Sequence, residues 1–336
     1  MPPGGAAADD AEVERLVDYW TPLAVRALAA RGVFAAIGEG SRDPDDVARE
    51  TGVDAPTLRR FLRAVASRGV VEDADDGSVR LTPLGRRLVP GRPGSLAGLA
   101  NLKSFELHAW AEVERALATG EATFPLVHDG LDLFAWLARD PARSAEFDAT
   151  MRGRTSALLA AGLPLVEWPA AGMVVDIGGG SGHLLEQVLA GRPGLRGVVF
   201  DLPHVVEGAR APLAAAGLAD RVELAAGSFF EAVPAGGDLY VLSNILHDWS
   251  DRDATAILRS VRTAIPAHGR LRLFEAVLDA PGVGGLGAQL DLHMLVLLGA
   301  AERTQDAWRA LLAEGGFRLT VITPTPGFAW VDAAPT

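Results

Sequence analysis

The stretch Val174-Val175-Asp176-Ile177-Gly178-Gly179-Gly180-Ser181-Gly182-His183, followed by Leu184-Leu185-Glu186-Gln187-Val188-Leu189, passes from an apolar run through glycines into a helical pattern. It reads as strand, tight turn and helix. Glycine admits backbone dihedrals closed to other residues and leaves no side chain between main chain and ligand, so glycines at a strand end predict close approach of a bound group. Spacing narrows what that group is. A dinucleotide fingerprint counted from Gly178 and Gly180 needs a third glycine where His183 stands. A Walker loop needs Gly-Lys-Ser/Thr, which is absent, and a serine elbow built on Ser181 needs glycine, again at His183. What remains is Asp-x-Gly-x-Gly-x-Gly and, at the end of the next apolar run Gly197 to Phe200, Asp201. An acid about 20 residues beyond the glycines is placed to accept hydrogen bonds from ribose hydroxyls. An adenosyl ligand without phosphates fits both features.

Working outward, strand and helix alternate from here to the C-terminus. Strands are predicted at Met173 to Ile177, Gly197 to Phe200, Val222 to Ala225, Leu239 to Ser243 and Arg270 to Ala276, with a final antiparallel pair near Phe317 to Ile322 and Phe328 to Val331. Helices fall between them, for example Ala254 to Ile265 and Gln305 to Glu314. The alternation predicts an α/β fold with a doubly wound, mostly parallel sheet and a ligand at the carboxyl ends of its strands.

Upstream, Asp45 to Val53 and Ala55 to Val65 form a helix-turn-helix pattern, and Gly69 to Glu72 with Val79 to Thr82 add a small wing. Arg59, Arg60, Arg63 and Arg68 would suit DNA, but a net charge of −12 opposes phosphate binding, so a dimerisation module is the preferred reading and no nucleic-acid partner is expected. Pro90-Gly91-Arg92-Pro93-Gly94 marks a boundary. The expected organisation is a winged-helix domain over 1–94, a helical linker and substrate lid over 95–164, and a cofactor-binding catalytic domain over 165–336. The helical stretch carries Phe105, Trp110, Phe124, Phe134, Trp136, Phe147 and Met151, which serve as core or line a pocket over the glycine turn.

With 336 residues, 49% of them apolar, the chain can bury two cores. No apolar run reaches the roughly 18 residues that span a bilayer, and the N-terminus lacks a signal-peptide pattern, so a cytoplasmic protein with no membrane partner is expected. The absence of cysteine excludes disulfides, thiolate ligands and thiol nucleophiles.

Among the seven histidines, His247 alone lies just beyond a predicted strand end at the expected ligand site. Glu275, ending the next strand, is expected to emerge on the same rim, and Glu302 precedes a helix. A carboxylate accepting from one imidazole nitrogen leaves the other free as a base, so a general base with an orienting acid is predicted. His293 and Asp291 share a helix, but without a third ligand no metal site is expected there.

Taken together, Asp176-Ile177-Gly178-Gly179-Gly180-Ser181-Gly182, Asp201-Leu202-Pro203, Gly227-Ser228-Phe229-Phe230, His247-Asp248-Trp249-Ser250-Asp251 and Glu302-Arg303-Thr304 resemble the S-adenosylmethionine-dependent O-methyltransferases of the caffeate and hydroxyneurosporene type. The resemblance runs over nearly the whole chain. It implies a Rossmann-like methyltransferase sheet behind a helical, winged-helix domain that forms a homodimer. It implies S-adenosylmethionine as cofactor, S-adenosylhomocysteine as product, and no metal. Asp176, Gly178 and Gly180 would hold the methionine part, Asp201 the ribose hydroxyls and Leu202 the adenine, with Ser228, Phe229, Ser243 and Trp249 also in the cofactor site. The family often has an acid where Ser228 stands and a lysine where Ser243 stands, which alters those two contacts. His247, as a neutral imidazole, would take the proton from a substrate hydroxyl, flanked by Glu275 and Glu302, while Trp110, Phe124, Met151 and Met294 would line the acceptor site. The expected reaction is methylation of a phenolic hydroxyl on a small aromatic, polyketide-like natural product. Diverged chemistry on the same scaffold (N- or C-methylation, or a non-methylating reaction) and a winged-helix ligand-sensing regulator stand as alternatives.

Overall fold

The computed structural model describes residues 4–74, 76–92, 95–100 and 104–336. Contacts divide the chain into two compact units, Met1–Lys103 and Ser104–Thr336. Of the boundary read at residues 90–94, Pro93 and Gly94 lie outside the described residues.

In the first unit the two helices of the helix-turn-helix run Pro44–Thr51 and Ala55–Ala66. Each begins at an aspartate whose side chain accepts a backbone N–H of the first turn, Asp43 from Asp45 and Asp54 from Thr57, satisfying donors that a helix start leaves orphaned. Strands β1 (Val71–Asp73) and β2 (Val79–Leu81) pair antiparallel as the wing. Val47, Leu58, Leu62, Val65, Val71, Val79 and Leu81 close the core between them. Two of the arginines that suggested DNA are paired within the unit, Arg59 with Asp45 and Arg68 with Asp18.

The second unit is built on seven strands: β3 (Ala171–Ile177), β4 (Gly194–Asp201), β5 (Val222–Ala226), β6 (Leu239–Ser243), β7 (Arg270–Glu275), β8 (Phe317–Pro324) and β9 (Ala329–Pro335). Their order is β5-β4-β3-β6-β7-β9-β8, with β9 antiparallel to both neighbours and the remaining pairs parallel. The central strands are mostly apolar because helices cover both faces of such a sheet, and the charged Asp176 and Glu275 fall at the strand ends that form the site. Between β3 and β6 the winding reverses, the place where a doubly wound sheet opens a crevice. Register makes the crevice specific. Ile177 lies beside Phe200 and Leu242, and Leu242 beside Leu273. One edge therefore carries the glycine turn after β3, Asp201 at the end of β4, the His247 turn after β6 and Glu275 at the end of β7.

The helices from residue 104 onward belong to this second unit. Ala109, Phe124, Leu133 and Leu137 share one buried cluster with Val296 and Leu297 of the helix Gly284–Leu298, which ties them to the sheet unit rather than leaving them as a free linker.

Candidate active site

The cradle is assembled from the β3 and β4 ends. Gly178, Gly180 and Gly182 have φ of 70°, 53° and 75°, the left-handed region that β-carbons disfavour. A Cβ on Gly178 would lie 2.4 Å from Ile245 Cδ1, whereas one on Gly180 would meet nothing within 4 Å and project into open space. The turn is lashed to β4: Gly178 N donates to Phe200 O at 2.8 Å, Gly180 N to Asp201 Oδ2 at 2.9 Å, and Leu202 N to Asp201 Oδ1 at 2.7 Å. Burial holds the Asp201 carboxyl above its ordinary value, against the opposing pull of those two N–H groups. Asp176 is 1% exposed, its Oδ2 has no hydrogen-bond partner, and burial followed by the nearby Asp201 charge pushes it up to about 7. An orphaned buried carboxylate is expensive unless a cation or donor completes it.

Gly227 N donates to Asp201 O at 3.0 Å, which brings Ser228 and Phe229 to the same edge. The Ser228 hydroxyl accepts Phe230 N–H at 3.3 Å, and Ser243 accepts from the Asn244 amide at 3.3 Å. Phe229 and Phe230 meet Trp249 edge-on, with ring centroids 5.8 Å and 4.8 Å apart, and Leu202 is exposed. Open space at Gly180, an unsatisfied carboxylate, a ribose-height acid and an aromatic edge fit an adenosyl sulfonium.

Beside the cradle, the chain leaves β6 through Asn244, whose φ of 56° is a conformation asparagine tolerates better than most residues, and enters the single turn Leu246–Asp248. His247 on this turn is buried. Its Nδ1 lies 2.7 Å from Glu302 Oε1 and 4.0 Å from Glu275 Oε2, and its Nε2 is 3.5 Å from Asp248 Oδ1. Bonding Nδ1 to a carboxylate puts a proton there and leaves Nε2, with Asp248 beside it, as the exchanging nitrogen. Glu275 is fully buried at this edge, and besides facing the ring it accepts, through Oε1, the N–H groups of Ile245 at 3.1 Å and Leu246 at 2.9 Å, an anchoring role the sequence did not suggest. It lies beneath the turn because the orphaned amides of that turn need an acceptor, and only its other oxygen faces the imidazole.

Burial works to lower the His247 pKa, but the charges of Asp248, Glu302 and Glu275 outweigh it and push the imidazole up to about 10. Burial raises Asp248 to about 6 and Glu275 to about 7, each against the pull of the His247 charge. Three acids converging on the ring raise its proton affinity, so the neutral imidazole that a base role requires is favoured on the alkaline side. Ligand atoms of His247, Glu275 and Glu302 lie within 4.8 Å of one another, a spacing that also suits a metal ion. A metal at Nδ1 would have to displace the proton bonded to Glu302.

Of the residues expected to line an acceptor site, Trp110 Nε1–H donates to His293 Nδ1 at 2.9 Å, joining its helix to the one that carries Met294. Met294 is buried and Met151 half-buried. Phe124 is fully enclosed, its ring against Phe105, His128 and Trp136, which assigns it to packing. Phe134, one of the aromatics read as core or pocket lining, stacks on Trp249 with centroids 5.8 Å apart and planes 16° apart. Asp248 was also missed as an imidazole neighbour; its adjacency to His247 was the available signal.

An imidazole whose proton affinity is raised by buried acids suits removal of a hydroxyl proton, and the neighbouring cradle suits a cationic nucleoside. Together on a doubly wound sheet they define a group transferase with a nucleoside cofactor. The profile of the O-methyltransferase domain family matches residues 110–318. The chain is 38% identical over 325 residues to phenazine O-methyltransferase PhzM of Lysobacter antibioticus, covering 96% of this chain and 95% of that one. It is 40% identical over 308 residues to O-demethylpuromycin-O-methyltransferase of Streptomyces alboniger, covering 89% and 82%. The crystal structure of the O-methyltransferase NcsB1 from neocarzinostatin biosynthesis, in complex with S-adenosylmethionine and 2-hydroxy-5-methyl naphthoic acid, superposes with a TM-score of 0.85 at 31% identity, covering 96% of this chain and 98% of that one. The protein belongs to the S-adenosylmethionine-dependent O-methyltransferase family.

Proposed function

We propose that this enzyme methylates a phenolic hydroxyl of a small aromatic natural product, with His247 as the general base oriented by Glu302. The observation that carries this reading is the 2.7 Å contact between His247 Nδ1 and Glu302, which leaves Nε2 as the nitrogen available to accept a proton. S-adenosylmethionine supplies an electrophilic methyl group on a sulfonium. The main chain at Gly178 and Gly180, with Asp176, holds its methionine part. Asp201 retains lone pairs for ribose hydroxyls, and Leu202, Ser228, Phe229, Ser243 and Trp249 complete the pocket. A phenol has a pKa near 10 and a free imidazole about 6.5, so unassisted proton transfer would be uphill by about 5 kcal/mol. With His247 raised to about 10, transfer becomes nearly thermoneutral. The consequence is a rate that climbs on the alkaline side, where the base form is populated.

The aromatic acceptors in the relatives' names support the substrate class, and Trp110, Met151 and Met294 are the residues we assign to the acceptor side. Incubation with S-adenosylmethionine and a panel of phenols, quinones and aromatic acids, read by mass, tests the reaction; full methylation by His247→Ala would refute the base. We assign a homodimer built through the N-terminal unit, because Val13, Leu16, Val17 and Trp20 on its first two helices are exposed, Trp20 at 73%. Sedimentation of Leu16→Asp/Trp20→Ser is expected to give a monomer. The compartment we assign is the cytoplasm, where the methyl donor is made; among the described residues no helix is long and apolar enough to cross a membrane.

A further inference from the structure

We propose that Arg303 is a positioning residue for the His247 base, its guanidinium fixing the turn that carries the imidazole by gripping the carbonyls on either side of it. The inference rests on His247 being that base. Arg303 is 5% exposed. Its Nη1 donates to Leu246 O and its Nη2 to Trp249 O, each at 2.8 Å, and its Nε donates to Asp251 Oδ1 at 2.9 Å. The guanidinium carbon lies 5.2 Å from the ring of Trp308, itself fully buried.

The two carbonyls bracket His247 and Asp248. From the other side, Glu275 takes the amides of Ile245 and Leu246. The turn is therefore held by its donors on Glu275, by its acceptors on Arg303 and by its side chain on Glu302. The last two are neighbours for a geometric reason. Residue 303 bridges Val277 in parallel just beyond β7, and Leu278 N donates to Arg303 O at 3.0 Å, so this segment is extended and successive side chains point to opposite faces. Glu302 meets the ring while Arg303 passes under its backbone. Asp291 locks the segment from outside by accepting Glu302 N–H at 2.8 Å.

Burying a guanidinium is costly unless it is fully bonded, so packing alone does not account for it. What only arginine supplies is a rigid planar fork that reaches two carbonyls and a carboxylate together; a lysine ammonium is a point donor without that span. A base displaced by an ångström loses on the order of 100-fold in rate.

The test is Arg303→Lys, with Arg303→Gln as a second variant should lysine lower the thermal midpoint. Folding and the cradle are checked by calorimetric binding of S-adenosylhomocysteine, expected to be nearly unchanged. With the phenol best methylated in the panel, kcat is expected to fall about 100-fold while the acceptor KM moves little. Two readouts separate positioning from general support. In the double variant with His247→Ala, Arg303→Lys is expected to slow the reaction no further, because its effect passes through the imidazole. In ligand-free protein, the hydrogen-bonded Nδ1–H resonance of His247 is expected to broaden or shift. Undiminished kcat, additive losses in the double variant, or an unmoved resonance would overturn the role of Arg303. Full activity of His247→Ala would instead overturn the base assignment on which it rests.

Discussion

Replacing Glu302 by glutamine keeps a carbonyl oxygen near His247 Nδ1 and removes one charge, so it isolates what that charge does. At the observed 2.7 Å and an effective dielectric of 20, the attraction between imidazolium and carboxylate is about 6 kcal/mol. At 1.36 kcal/mol per unit this sets a ceiling of about four units on the fall in the His247 pKa. The glutamine carbonyl still accepts the hydrogen bond, and Glu275 and Asp248 still face the ring, so a fall of roughly two units is expected. Histidine-selective 15N NMR across the titration reads the shift directly in ligand-free protein. In rate assays at saturating S-adenosylmethionine, the alkaline limb should move to lower pH by a similar amount. The plateau should drop, because the weaker base makes proton transfer from a phenol uphill again. A His247 titration that stays in place or moves upward would refute the view that the buried acids set its basicity.

Asp176→Asn should stabilise the ligand-free protein while weakening cofactor binding. With a folded pKa of about 7, above its ordinary 3.8, the carboxylate's penalty is absent below about pH 4, grows as pH rises and is complete above 7, with a ceiling of about 4 kcal/mol. A thermal-midpoint gain near pH 8 that vanishes near pH 4 is the expected result, and equal stability at both pH values would contradict it. Gly180→Val should cost about 1–2 kcal/mol of stability at its φ of 53° and reduce S-adenosylhomocysteine affinity about tenfold or more by filling the cradle. Gly191→Val, at φ 71° with equally open surroundings, is the control that should lose stability alone. Phe124→Ala should lose about 3–5 kcal/mol on chemical denaturation. A changed acceptor KM without that loss would return the ring to the substrate site.

The β3 turn and the parallel sheet were legible because both are local: an apolar run, glycines at the required spacing and an acid at the next strand end leave few alternatives. The helix-turn-helix and wing were legible from two helical patterns around a glycine turn and from turn residues between two short strands, for the same reason. The helical stretch after residue 95 was not, since its amphipathic faces do not say what they cover; the buried cluster with Val296 and Leu297 assigns them. That Phe134 meets Trp249 had no signal, because a stacking contact between distant residues leaves no local pattern. Glu275 was found by position, but its bonds to the amides of Ile245 and Leu246 were not, since strand alternation gives a side and not a partner.

Residue types and short-range spacing by themselves determined that the chain builds a cofactor turn, a parallel sheet and an imidazole at its edge. They do so because backbone dihedrals, strand length and helix caps are decided within a few residues. Only the tertiary structure decided which acid holds that imidazole, which one lies beneath its turn, and that three acids together raise its proton affinity. Those outcomes depend on distances of 2.7 Å and 4.0 Å between groups carried by separate elements, and on the water excluded around them. Electrostatic strength follows separation and burial, and neither is written in the order of residues along the chain.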